Sequence, residues 1–124
     1  MCIRDRRTLI ARALVGQPTV LVLDEPTTGM DLVATTKILG LIRELHERDK
    51  LTVLMVSHAL NEVANYVERI ALVVERGFRI GTVAEIMTEQ TLTDMYGIPV
   101  DVDEMHGHRI VVARRMVPEA SANA

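Results

Sequence analysis

An α/β fold, with a parallel sheet and helices followed by small antiparallel hairpins, is the class this sequence predicts. Three observations carry that expectation. Residues 19–23 and 51–56 are apolar almost throughout and lack polar alternation, the pattern of strands covered on both faces. Residues 31–48, between them, have helical periodicity and can serve as the crossover that a parallel pair needs. Past residue 69, short apolar runs alternate with glycine-containing turns, which reads as hairpins.

Taken in order, residues 4–15 form a helix rich in Arg, Leu and Ala that stops before Gln17-Pro18, with Gly16 placed as its C-terminal glycine. After the first strand, Asp24 and the residues up to Thr28 break the apolar pattern. Asp31 is a good N-cap for the next helix, where Ile38, Ile42 and Leu45 recur at helical spacing despite Gly40. Ser57-His58 closes the second strand, and residues 59–65 read as a short helix. A hairpin follows over residues 70–75 and 78–83, turning at Arg76-Gly77. Residues 91–96 form a short helix ended by Gly97, and residues 100–103 and 109–113 a second hairpin turning at His106-Gly107-His108. The small, polar tail from Pro118 is expected to be disordered. A parallel pair alone leaves the sheet incomplete.

Composition narrows the function classes. Of 124 residues, 48% are hydrophobic but only 2% aromatic, so the core is aliphatic. The net charge of −3 argues against a nucleic-acid partner, and Arg4, Arg6, Arg7 and Arg12 read as one solvated helix face. With Cys2 as the single cysteine, no intrachain disulfide forms and a reducing compartment fits. No leader pattern is visible and no segment approaches the ~20 apolar residues that span a bilayer, so a cytoplasmic chain is expected. His106 and His108 supply too few ligands for a metal site and read as a plain turn.

Chemistry concentrates where the first apolar run ends, at Asp24-Glu25-Pro26. Ligands of open α/β sheets sit at the C-terminal ends of the strands. Adjacent carboxylates there point in different directions and can divide labour: one holds Mg²⁺, the other orients and deprotonates a water. For the pair alone, a solvated strand end is the plain alternative. A right-handed crossover sets neighbouring parallel strand ends side by side, so His58 should lie near Glu25. A neutral imidazole there can hydrogen-bond a phosphate or the attacking water.

Leu9-Ile10-Ala11-Arg12-Ala13-Leu14, Val20-Leu21-Val22-Leu23-Asp24-Glu25-Pro26, Gly29-Met30-Asp31 and Val56-Ser57-His58, in that order, resemble the second half of an ABC transporter ATP-binding subunit. The resemblance covers roughly residues 6–113. It implies a partial P-loop NTPase-like sheet, with Asp24 as the Mg²⁺-associated residue of the Walker B strand and Glu25 as catalytic base. Thr28-Gly29-Met30-Asp31 would match the D-loop at the dimer interface, with Gly29 and Asp31 serving the nucleotide site, and His58 the switch histidine that contacts the γ-phosphate. ATP and Mg²⁺ as cofactors, a second ATP-binding subunit and membrane permease subunits as partners, and a peripheral place on the inner membrane face are implied for the intact protein.

Other family parts are absent from this sequence. A phosphate-binding loop needs G-x-x-x-x-G-K-[ST], and the only lysines, Lys37 and Lys50, follow Thr36 and Asp49. The family's Q-loop and its adenine-stacking aromatic residue have no match either. Where a Leu-Ser-Gly-Gly-Gln type run should precede Arg6, the chain reads Met1-Cys2-Ile3-Arg4-Asp5, and in place of the family's glycines the side chains of Cys2 and Ile3 would obstruct close backbone approach to a phosphate. A truncated frame or foreign junction is the expected origin, a diverged short protein the alternative.

The expected organisation is a truncated ATPase core over residues 1–90, an extension over 91–117 and a tail over 118–124. The segment Thr91-Leu92-Thr93-Asp94-Met95-Tyr96-Gly97-Ile98-Pro99-Val100 is similar to one in importers of metal ions or iron chelates. The leading expectation is therefore a piece of a transport ATPase unable to bind or hydrolyse ATP alone. Its rivals are a non-catalytic module docking on a complete subunit or permease, and part of a soluble ABC ATPase.

Overall fold

The computed structural model describes residues 3–75 and 77–114; Arg76 and the predicted tail lie outside the described residues. The chain divides into two compact units, Met1–Val67 and Glu68–Ala124.

In the first unit, α1 (Ile3–Leu14), β1 (Val20–Asp24), α2 (Leu32–Asp49), β2 (Thr52–Val56) and α3 (Leu60–Val63) follow one another. Strands β1 and β2 pair in parallel, Leu21 opposite Val53 and Asp24 opposite Val56, with α2 as the crossover between them. Asp31 caps α2 as its sequence suggests, accepting the Ala34 amide at 2.8 Å. At the other end Lys50 takes a left-handed conformation, φ 52°. The His46 ring then donates Nδ1–H to the Leu51 carbonyl at 2.7 Å, tying the end of α2 to the start of β2. Ile38, Leu39, Ile42 and Leu45 form the buried stripe of α2 and meet Ile10, Leu21 and Leu51 in one aliphatic core.

The helical and strand expectations hold here, with three corrections. Helix α1 is not ended by Gly16: Gln17, at φ 49°, is the left-handed residue and returns its amide to Leu14 at 3.0 Å. Gln17 precedes Pro18, which disfavours continuing the right-handed helix at that position. Arg6 does not share the solvated face of Arg4, Arg7 and Arg12; it is half-buried, and its Nε is shielded without a partner. The sheet is covered on one face only. Leu21, Leu23, Val53 and Met55 turn to the core, whereas Val22 and Leu54 remain 61% and 58% exposed beside exposed Val20 and Val56. Helices α1 and α2 supply one apolar layer, and among the described residues of this unit nothing supplies the other.

The second unit contains β3 (Arg69–Val74), β4 (Gly77–Thr82), α4 (Val83–Ile86), α5 (Glu89–Tyr96), β5 (Val100–Met105) and β6 (His108–Ala113). Both hairpins are antiparallel, as the sequence predicts. Val74 stands opposite Gly77, so Gly77 lies in the strand and not in the turn assigned to it. His106 and Gly107 both have positive φ, 52° and 79°, which suits a two-residue hairpin turn of the primed kind. The strand predicted to run to residue 83 stops a residue earlier, because Thr82 opens α4 with a capping box closed by Glu85. Ile70, Leu72, Ile86, Met87, Leu92, Met95 and Val100 are the buried hydrophobic residues of this unit.

The unequal faces of the parallel pair make a contrast. Ile38→Ala should cost about 3 kcal/mol of stability, because it opens a cavity in a filled core. Leu54→Ala, on the uncovered face, should cost less than about 1 kcal/mol. Urea denaturation followed by circular dichroism measures both, and equal losses would mean that the second face is buried in solution.

Candidate active site

The parallel ladder runs one residue past β1: the Glu25 amide donates to the Val56 carbonyl at 2.8 Å. Asp24 and Glu25 thus reach the rim where β2 also ends. There Glu25 turns sharply, at φ 48°, a region that non-glycine residues seldom occupy. Pro26 behind it is fully buried. Glu25 thus leaves the strand through the left-handed region. Such local strain, of order 1–3 kcal/mol, persists where the surroundings over-determine it and clusters at functional sites.

His58 meets Glu25 there. Its Nδ1–H donates to Glu25 Oε1, since a carboxylate can only accept. The ring is otherwise open, with the side chain 94% exposed against 28% for Glu25, so Nε2 remains accessible to a ligand. Thr28 Oγ1 donates to Glu25 Oε2 at 3.3 Å, so both carboxylate oxygens are held. Behind the ring, Ser57 Oγ accepts the Ala59 amide at 3.0 Å and turns the chain into α3.

The remaining predicted positions fall on the same rim or its loop. Asp24 ends β1 with its side chain exposed. Gly29 has φ +77° with open space where a Cβ would stand, so the loop conformation itself favours glycine. Asp31 spends its carboxylate on the α2 cap. The structure therefore brings Glu25 and His58 into contact and leaves Asp24 beside them, while Asp31 is accounted for by helix capping. Sequence reasoning missed the threonines: Thr28 orients Glu25, and Thr27 is buried and donates to Glu62 Oε2 at 3.1 Å. Two hydroxyls just past the carboxylate pair, after Pro26, were the available signal.

Among the described residues no group of three or more His, Cys, Asp or Glu could hold a metal ion. Mg²⁺ does not need such a cage, because it keeps several waters and is held by one or two carboxylates plus substrate phosphates. An exposed Asp24 on a strand end fits that role.

No protein-family model matches the chain. Among curated proteins, it is 40% identical over 85 residues to the energy-coupling factor transporter ATP-binding protein EcfA2 of Latilactobacillus sakei, covering 68% of this chain and 29% of that protein. It is 35% identical over 99 residues to the petrobactin import ATP-binding protein FpuC of Bacillus anthracis, covering 78% and 36%. Among solved structures, an inward-facing metal-chelate type ABC transporter matches with a TM-score of 0.77 at 23% identity, over 95% of this chain and 48% of the other, which shows a shared fold. The chain spans about a third of the length of the curated relatives it matches. Within that span, the chain belongs with the ATP-binding subunits of ABC transporters.

Proposed function

We propose that the chain is a portion of the ATP-hydrolysing subunit of an ABC importer, and that it carries the water-activating side of the site without the phosphate-binding side. The contact between His58 and Glu25 on the shared rim of β1 and β2 is the observation that carries this reading. Glu25, held at both oxygens, orients the water that attacks the γ-phosphorus and takes its proton as the bond to the leaving ADP oxygen breaks. As the imidazolium, His58 would donate Nε2–H to a γ-phosphate oxygen while Nδ1–H stays on Glu25. Asp24 would hold Mg²⁺, which supplies neutralisation of phosphate charge when bound. Gly29 and Asp31 shape the loop that would face a second ATP-binding subunit.

The uncovered apolar face of the parallel pair supports assigning this chain to a larger domain, since Val20, Val22, Leu54 and Val56 are a face suited to burial. The domain reading places the ATPase core in residues 1–90 and an extension in 91–117, with a tail beyond. No described helix is long and apolar enough to cross a membrane, and attachment to the inner membrane face would run through permease subunits. Import is favoured by the FpuC relationship, and the similarity of residues 91–100 to metal-cation and iron-chelate importers supports that substrate class.

Phosphate binding is the discriminating property. Without a G-x-x-x-x-G-K-[ST] loop, acidic groups would face an unneutralised triphosphate. Calorimetry of this chain with Mg-ATP should show no binding in the micromolar range, and a clear isotherm would overturn the proposed division of the site. In a subunit that also carries the loop, Glu25→Gln should retain ATP binding and lower turnover by roughly 10²–10⁴-fold. Turnover near the parent value would remove Glu25 from the role of base. His58→Ala in the same subunit should depress kcat far more than nucleotide affinity, whereas equal losses in both would leave it a merely structural residue.

A further inference from the structure

The side chain of His58 is almost fully exposed, so packing does not hold the ring in place. Its position depends on Glu25 and on how the segment that carries it is seated. That segment enters α3, which carries Glu62, four residues after His58. Glu62 Oε2 accepts a hydrogen bond from Thr27 Oγ1 at 3.1 Å, across 35 positions of sequence. Thr27 is 5% exposed, an unusual setting for a hydroxyl, and lies between buried Pro26 and the Thr28 that holds Glu25. The contacts close a ring: His58 to Glu25, Glu25 through Thr28 to Thr27, Thr27 to Glu62, and Glu62 along α3 back to His58.

We propose that Thr27 and Glu62 are positioning residues that seat the histidine segment on the loop bearing Glu25. The inference rests on the reading of Glu25 and His58 as the reacting pair, and it adds to that pair the link that sets its geometry. Glu62 acts at a distance, through the backbone between it and His58; it touches no reacting atom. The link does not depend on a full carboxylate charge, because a glutamine oxygen also accepts from a hydroxyl.

The test uses the full chain labelled with ¹⁵N at histidine. Nuclear magnetic resonance distinguishes an imidazole held with Nδ1–H on an acceptor from one that is free, and His46, whose Nδ1–H is held by Leu51, serves as the internal standard of a folded chain. Thr27→Val and Glu62→Ala should each lose the held Nδ1–H signature of His58 while keeping that of His46. Thr27→Ser and Glu62→Gln should keep both. Glu62 is exposed, so its alanine variant stays informative even if the buried Thr27→Val does not fold. Retention of the His58 signature in Glu62→Ala, or its loss in Glu62→Gln, overturns the proposal. Failure of the underlying reading appears elsewhere, as undiminished turnover of Glu25→Gln and His58→Ala in a loop-bearing subunit, and leaves this signature unchanged.

Discussion

In register, β1 and β2 end together: Asp24 stands opposite Val56, and the next amide along, that of Glu25, still bonds to the Val56 carbonyl. Every feature of the site depends on that pairing. A slip of one residue would turn Leu21 and Leu23 out of the core and bring Val20 and Val22 in, so the packing of α1 and α2 against one face selects the register. The same register sets the histidine loop beside the carboxylates. The hydrophobic core thus determines, at a distance, which polar groups meet at the rim.

A local backbone conformation has a second part in the geometry. Gln17 and Glu25 each precede a proline, and each adopts a positive φ. At Gln17 the consequence is structural, a turn out of α1 that hands the chain to β1. At Glu25 the same conformation ends the strand where the carboxylate meets His58, just ahead of buried Pro26. The strain at Glu25 is offset by contacts on both sides, through the ladder at its amide and through His58 and Thr28 at its carboxylate. A residue without a carboxylate would bear the same backbone cost without those contacts.

Much of this was legible in residue order, and the exceptions have identifiable causes. Helix α2 announced itself through Asp31 and the spacing of Ile38, Ile42 and Leu45, because capping and periodicity are local. The meeting of Glu25 and His58 was legible through topology, since a parallel crossover has a fixed hand and aligns strand ends. Helix α4 was missed although Thr82-Val83-Ala84-Glu85 spells a capping box, because the apolar pattern of the preceding strand ran into it. The left-handed residue after α1 was assigned to glycine by propensity, whereas the chain has it at Gln17. The bond from Thr27 to Glu62 had no local signature, as it joins positions 35 apart whose proximity follows only once the strands are docked.

The apolar runs of β1 and β2 show why pattern and structure diverge on coverage. A strand half-solvated by design alternates, and neither strand does. Their sequences therefore specify two buried faces, while the first unit covers one. The mismatch has the same origin as the chemical imbalance of the rim. If Glu25 and Asp24 act as proposed, groups that orient water and bind Mg²⁺ do not by themselves hold a polyphosphate, whose charge must be met by backbone amides and a cation. A layer of structure laid on Val22 and Leu54 would answer the first deficit, and a phosphate-binding loop carried with that layer would answer the second. Packing and catalysis would then be completed by the same addition, which ties the stability of the parallel sheet to its capacity to bind nucleotide.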